Sequence, residues 1–368
     1  METVATGQRR LVGLGLAHPA VPHPASQQPI DVVRRLGAMQ AQDYGQSLWA
    51  VGSRLPGSTV GDVIAAIEAG QILRTWPQRG TLHMVPAADA GWMVALSSER
   101  TVKAHRTRLR QLDLDEAVLA RSRQVLETAL TGHRRVNRPA LLQLLEDAGI
   151  KTGNQRGYTI LWHAAHLGLI CLGPMEGKQP TFVLLREWVR YPVDLPRAAG
   201  LSELARRYFT SHDPATVHDF AWWASLTVTE ARAAATAAGM LSVGDIATRP
   251  DAAPRGALDA RAAGVPMLLA GFDEFLLGYQ DRSAVLAKEH ADRVVPGGNG
   301  VFQPTMVAGA QVVGTWRRTV TANAVDVTLA AFDGQDAVPT FTAAAERYAE
   351  FIGLPLRSLT ATSSGVGP

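Results

Sequence analysis

Residues 154–185, NQRGYTILWHAAHLGLICLGPMEGKQPTFVLL, decide the fold. Asn154 to Leu167 has helical spacing and stops at Gly168, a residue suited to a helix C-terminus. Two short apolar runs follow, Leu169 to Leu172 and Thr181 to Leu185, with turn-forming residues from Gly173 to Pro180 between them. Upstream, Glu116 to Leu130 and Arg138 to Ala148 also carry apolar residues at helical spacing, and Gly149 ends the second. Three helices followed by a two-stranded wing make a winged-helix module, an elaboration of helix-turn-helix.

Working outward, the same logic repeats on either side. Helical patterns run from Ile30 to about Gln40, around Gln46 to Arg54, and from Ser58 to Ala69, and two short apolar runs, Ile72 to Trp76 and Thr81 to Val85, read as a hairpin. A looser copy spans Leu201 to Ile246, with helices predicted over Ser202–Thr210, Pro214–Ala224 and Thr227–Ala238 and a strand from Met240. The first 29 residues, punctuated by Pro19, Pro22, Pro24 and Pro29, read as an irregular lead-in, and Thr248 to Gly264 as a linker. Beyond it, strands are predicted over Val265–Ala270, Val301–Ala308, Gln311–Arg318 and Ala324–Phe332, then a helix over Pro339–Phe351 and a frayed polar tail. The fold class is therefore α+β. Its predicted parts are a lead-in (1–29), three winged-helix modules (30–112, 113–195, and 196–264 with the linker) and a β-rich C-terminal domain (265–368).

Composition narrows the function classes. Hydrophobic residues form 46% of the 368 and charged residues 19%, enough apolar material for packed cores, so disorder is excluded as the main state. No apolar run approaches the ~18 residues of a membrane span, and no secretory leader is visible. The single cysteine, Cys171, excludes an intrachain disulfide framework, and a cytoplasmic, nucleoid-associated protein is expected. The net charge of +3 hides a division: between Arg100 and Arg138 stand ten bases and four acids, a local +6. Such a band suits a phosphate backbone or an ordinary solvated helix face.

Phosphate-loop, nucleophile-elbow, zincin and dinucleotide-binding motifs are all missing, and no cofactor is expected. His163 and His166 stand three apart without an evident third ligand, so no metal site is expected. Together with Arg156 and Thr159 they form one polar stripe on the third helix of the second module, facing either a DNA groove or plain solvent. The most unusual local feature is Met39-Gln40-Ala41-Gln42-Asp43. Residues two apart share a side of an extended segment but not of a helix, so both glutamines serve one site only if the helix ends at or before Gln40. An amide is no general base, yet its carbonyl can orient a water and its NH2 can donate to a ligand. Capping a helix end is the alternative role.

With these residues the sequence resembles the AlkZ-like DNA glycosylases of the tandem winged-helix superfamily. Gln40-Ala41-Gln42 resembles that family's Gln-apolar-Gln catalytic motif, and Arg79 to Val85 its first hairpin. Phe220 to Trp223, Phe272 to Tyr279, Gly298 to Thr305 and Val313 to Arg318 are similar to its later segments. The resemblance implies a barrel-like C-terminal domain, no metal or organic cofactor, and double-stranded DNA carrying alkylated bases as the partner of a monomer. It implies excision of N7-alkylpurines by a monofunctional enzyme and, in some members, unhooking of interstrand crosslinks, for general repair or for self-resistance. It further implies Gln40 and Gln42 as the catalytic pair. Arg79, His83, Arg156, His163, Arg317 and Arg318 are then candidate DNA contacts, His83 being equally a packing histidine. Alternation along a strand puts Arg317 and Arg318 on opposite faces, so at most one touches phosphate directly. A non-catalytic winged-helix regulator is the competing reading; it would be a dimer that discriminates its operator.

Overall fold

Proline at the first turn and an acid three residues after the N-cap are start signals for a helix, and residues 28–36 carry both. In the computed structural model, which describes residues 2–17, 27–243, 246–248 and 264–362, Gln28 N donates to Asp31 Oδ2 at 3.0 Å, and the helix runs Pro29–Leu36. It buries Ile30, Val32, Val33 and Leu36 and ends at Gly37, whose φ of 80° few side chains tolerate. Pro19, Pro22, Pro24, most of the linker and the last six residues lie outside the described residues. Ahead of the prolines, Glu2–Gly13 is helical rather than irregular: no helix breaker precedes Gly7, and Leu11 and Leu14 are fully buried. No helix among the described residues is long and apolar enough to cross a membrane.

The chain divides into two units, residues 1–63 with 202–368, and residues 64–201. In chain order the elements are α1 (Glu2–Gly13), α2 (Pro29–Leu36), β1 (Met39–Gln40), α3 (Tyr44–Gly52) and α4 (Val60–Glu68). The middle unit continues with β2 (Ile72–Gln78), β3 (Thr81–Pro86), α5 (Ala90–Ala104), α6 (Arg106–Gln111), α7 (Glu116–Leu130) and β4 (Val136–Asn137). It closes with α8 (Arg138–Asp147), α9 (Arg156–His166), β5 (Ile170–Glu176), β6 (Gln179–Leu184) and the single turn α10 (Leu185–Trp188). Its strands lie in the order β3-β2-β5-β6-β4, and Leu126, Leu141, Leu145, Ile160 and Phe182 centre its core.

The larger unit resumes in α11 (Arg197–Ser211), then β7 (Ala215–Thr216), α12 (Val217–Ala224), α13 (Val228–Ala237), β8 (Leu241–Val243) and β9 (Ile246–Thr248). The chain thus repeats one order of elements: helix, two-residue strand, two helices, hairpin. In the second and third repeats, β4-β6-β5 and β7-β9-β8, the short strand pairs with the second hairpin strand. Asp43, Asp115, Asn137, Thr216 and Thr227 each cap a helix N-terminus through a side-chain oxygen.

The C-terminal part holds β10 (Met267–Leu269), α14 (Glu274–Leu277), α15 (Ala291–Val294), β11 (Thr305–Ala308), β12 (Gln311–Val320), β13 (Val325–Ala331), α16 (Val338–Ile352) and β14 (Leu356–Ala361). The barrel-like closure implied by the resemblance is not observed: the five strands form an open sheet, β10-β11-β12-β13-β14, among the described residues. The physical reason is the crossover. Helix α16 carries the chain back so that β14 lies parallel to β13, where Arg357 and Ser358 hold Asp326, leaving β10 and β14 as separate edges.

Helix α3 is fixed to this sheet by buried polar groups. Trp49 Nε1 donates to Leu268 O at 2.7 Å, Gln46 Oε1 accepts from Gly271 N at 3.0 Å, and Arg54 grips Asp273 through two 2.8 Å bonds. From the sheet side Trp316 Nε1 donates to Leu269 O, and Tyr348 packs edge-on to both tryptophan rings, with centroids 5.2 and 5.0 Å apart. Gly52 lies so close to Phe351 that a methyl there would overlap the ring. Gly52→Ala is therefore expected to destabilise the protein by about 1–3 kcal/mol, read as a lower denaturation midpoint at unchanged slope.

Candidate active site

The helix α2 stops at Leu36, so Met39 and Gln40 are extended and both glutamines come to one side. Gln40 Nε2 donates to Gln42 Oε1 at 2.5 Å. Gln40 is buried, 7% exposed, while Gln42 is exposed. This bond sets which end of each amide is which: the outer partner presents a second carbonyl lone pair and an NH2 group. Asp43 is turned away to cap α3, its Oδ1 accepting from Gln46 N at 3.0 Å. The glutamines thus sit on a segment held by α2 behind and by the anchored α3 ahead.

Arg317 and Arg318 divide as the alternation of a strand requires. Arg317 is exposed, whereas half-buried Arg318 lies on the face of buried Trp316 and bonds to the Tyr348 side chain. Burial pushes the Tyr348 hydroxyl above its ordinary pKa, against the pull of the Arg318 guanidinium. A methyl built on Gly45 would stand 3.3 Å from Arg318 Nη2 and 3.7 Å from Asp43 Oδ1. Guanidinium and carboxylate therefore flank the first turn of α3, immediately after Gln42.

In the middle unit the predicted contacts fare differently. His83 is fully buried; its Nδ1 meets Thr81 O at 2.8 Å and so carries the proton, leaving Nε2 to accept from Arg79 Nη2 at 3.2 Å. Arg79, half-buried at the hairpin turn with φ of 53°, is thus oriented by His83. The outward stripe on α9 is not observed. Thr159, His163 and His166 are buried, and Arg156 binds the carbonyls of Lys151, Leu112 and Asp113 instead of standing free for phosphate. The reason is packing on several sides: α9 contacts α5, α7, β2 and β5, so that Tyr158 alone among its residues is exposed.

Burial, with a smaller push from Arg123, lowers the His163 pKa. Burial lowers that of His166 to about 4 despite its bond to Trp162 O. Because the unfolded chain then protonates this ring first, stability is expected to fall as pH drops from about 6.5 towards 4. Unfolding midpoints measured through that window check this, and replacing His166 with a neutral residue of similar size should flatten the decline.

Several of the segments that carry the resemblance prove to be joints of the scaffold. Trp223 Nε1 donates to Glu274 Oε2 at 2.9 Å, His212 Nε2 meets the same oxygen at 3.4 Å, and Tyr208 and Tyr279 hydroxyls bond to backbone carbonyls around them. Sequence reasoning missed Gly45 and Tyr348 as neighbours of the glutamine segment, and no local signal marked them.

Residues 33–351 match the family described as DNA glycosylase AlkZ-like. An interstrand DNA cross-link repair glycosylase of Streptomyces sahachiroi is 28% identical over 319 residues, covering 78% of this chain and 81% of the relative. The solved structure of the Streptomyces sahachiroi DNA glycosylase AlkZ superposes with a TM-score of 0.80 at 21% identity, over 98% of this chain and 99% of that one. A match of this extent makes this chain a member of the AlkZ-like DNA glycosylase family.

Proposed function

We propose that this DNA glycosylase hydrolyses the N-glycosidic bond of N7-alkylated purines in double-stranded DNA, including adducts that crosslink the strands, as a monofunctional, monomeric cytoplasmic enzyme. The observation that carries the reading is the Gln40–Gln42 bond, which fixes an acceptor and a donor beside each other on an exposed edge. N7 alkylation gives guanine a positive charge, so the base leaves neutral and needs no acid. What remains is to hold a water against the sugar and to stabilise a cationic, oxocarbenium-like centre, work suited to oriented dipoles. In this mechanism Gln42 Oε1 accepts a hydrogen bond from the water, whose oxygen faces the anomeric carbon; the N-glycosidic bond breaks with its electron pair going to the base, the water oxygen bonds the anomeric carbon, and the extra proton passes to bulk water. Gln40 holds that amide in place. The reading of crosslinks as substrates is supported by the name of the Streptomyces relative.

The repeated order of elements is read as three winged-helix modules, the scaffold that brings duplex DNA to the glutamines. Between Arg100 and Gln111 the chain has no acid, and Lys103, Arg106, Arg108 and Arg110 are all exposed along α5 and α6. This elbow, with Arg79, follows the phosphate backbone. Replacing those four bases of the elbow with alanine should make the logarithm of affinity for undamaged duplex less steep against the logarithm of salt, by about 0.9 for each phosphate that is no longer neutralised. Anisotropy titrations at several salt concentrations measure it; an unchanged slope would place the DNA elsewhere. The function itself is tested by incubating the protein with an N7-methylguanine duplex beside an N7-crosslinked duplex and detecting freed base. Product from neither contradicts the proposal.

A further inference from the structure

Arg318 is reached from 270 residues away in sequence, yet its guanidinium lies at the first turn of α3, directly after the glutamine segment. Three features keep it there. Tyr348 bonds to it, and that tyrosine is itself wedged between Trp49 and Trp316. Gly45 leaves the space, since a methyl at that position would press on Nη2 at 3.3 Å. Asp43 supplies partial compensation from the same place, but its Oδ1 is already occupied in capping Gln46 N. Holding a half-buried cation at the positive end of a helix is unfavourable unless an anion completes it. The natural anion beside a reacting nucleotide is its phosphate.

The geometry points to Arg318 as the contact for a phosphate flanking the nucleotide whose base is released, with Tyr348 and Gly45 as positioning residues that aim it. This rests on the glycosylase reading and adds to it a means of fixing the sugar over Gln40 and Gln42. A guanidinium close to a developing sugar cation does no harm when phosphate and Asp43 neutralise it. Tyr348 touches no substrate and acts through Arg318 alone.

The test uses duplexes carrying one N7-methylguanine and a single neutral methylphosphonate, moved one linkage at a time around the lesion. Binding is followed by anisotropy and base release under single turnover, with the full-length protein. The wild type is expected to lose about ten- to a hundredfold in affinity at one linkage, the loss of a charge-assisted bond. Arg318→Gln should show no further loss at that linkage while remaining sensitive at the others. Tyr348→Phe, which keeps the ring between the two tryptophans, should blunt the same penalty and raise KM with kcat retained; Gly45→Ala should do likewise. If Arg318→Gln does not fold, Tyr348→Phe decides: a blunted penalty at that linkage supports the assignment, and a map identical to the wild type's overturns it. Equal penalties for wild type and Arg318→Gln at every linkage overturn it too. Absence of base release from any duplex would count against the glycosylase substrate reading, while the binding map would still decide the role of Arg318.

Discussion

Replacing Gln40 and Gln42 together with alanine is expected to slow release of N7-methylguanine by about 10²–10³-fold, the cost of losing a preorganised polar contact at a reacting centre. The fold should survive, because Gln42 is exposed and the two glutamines bond to each other. The single variants should each cost nearly as much as the double, since either one breaks the Gln40–Gln42 bond that orients the pair. Single-turnover release of the base, measured beside thermal melting, separates chemistry from stability. An unchanged rate in a well-folded double variant would remove the glutamines from the mechanism.

The second large effect concerns Arg54. Its side chain and that of Asp273 are 2% and 3% exposed, joined by two 2.8 Å bonds, and Asp273 also accepts from Phe275 N. Arg54→Leu leaves the carboxylate buried and unpaired, which costs about 3–5 kcal/mol. For a unit of this size that corresponds to a fall in melting temperature of roughly 10 °C. Arg54→Leu combined with Asp273→Leu should recover a large part of the loss, because no buried charge is then stranded. Calorimetry of the wild type, both single variants and the double measures this, and additive losses would show that the pair is not coupled. Excision should fall in Arg54→Leu as well, since the arginine ties α3, and with it the glutamine segment, to the C-terminal sheet.

Helices α2 to α4, α7 to α9 and α11 to α13 were legible because capping residues and apolar spacing agree along them, as at Asp115 with Leu119 and Leu126, whereas α5, α6 and α10, which no side chain caps, were not. Strands of two residues, such as Val136–Asn137 and Ala215–Thr216, were not, since alternation needs more length to register. Strand β14 escaped for a related reason: its partner β13 lies across a helix, and its residues are partly exposed. The inward turn of His163 and His166 defeated the helical-wheel reading, which presumes a wet stripe where α9 exposes only Tyr158. Gln40 and Gln42 were readable because spacing alone states the condition for their cooperation, and Gly37 meets it. The meeting of Arg318, itself a candidate DNA contact from the sequence, with Tyr348 and Gly45 was not, because nothing local in a strand, a helix and a helix start announces it.

The central claim is that two oriented amides let a base that is cationic in the DNA leave as a neutral molecule without any titrating catalyst. The rate of free 7-methylguanine appearance from a duplex with one such lesion, followed from about pH 6.5 to about pH 9, tests it, because ordinary histidine and cysteine groups titrate inside that range. The account predicts steady release at a rate nearly independent of pH. No release, or a rate that rises or falls tenfold along a single ionisation, would contradict it.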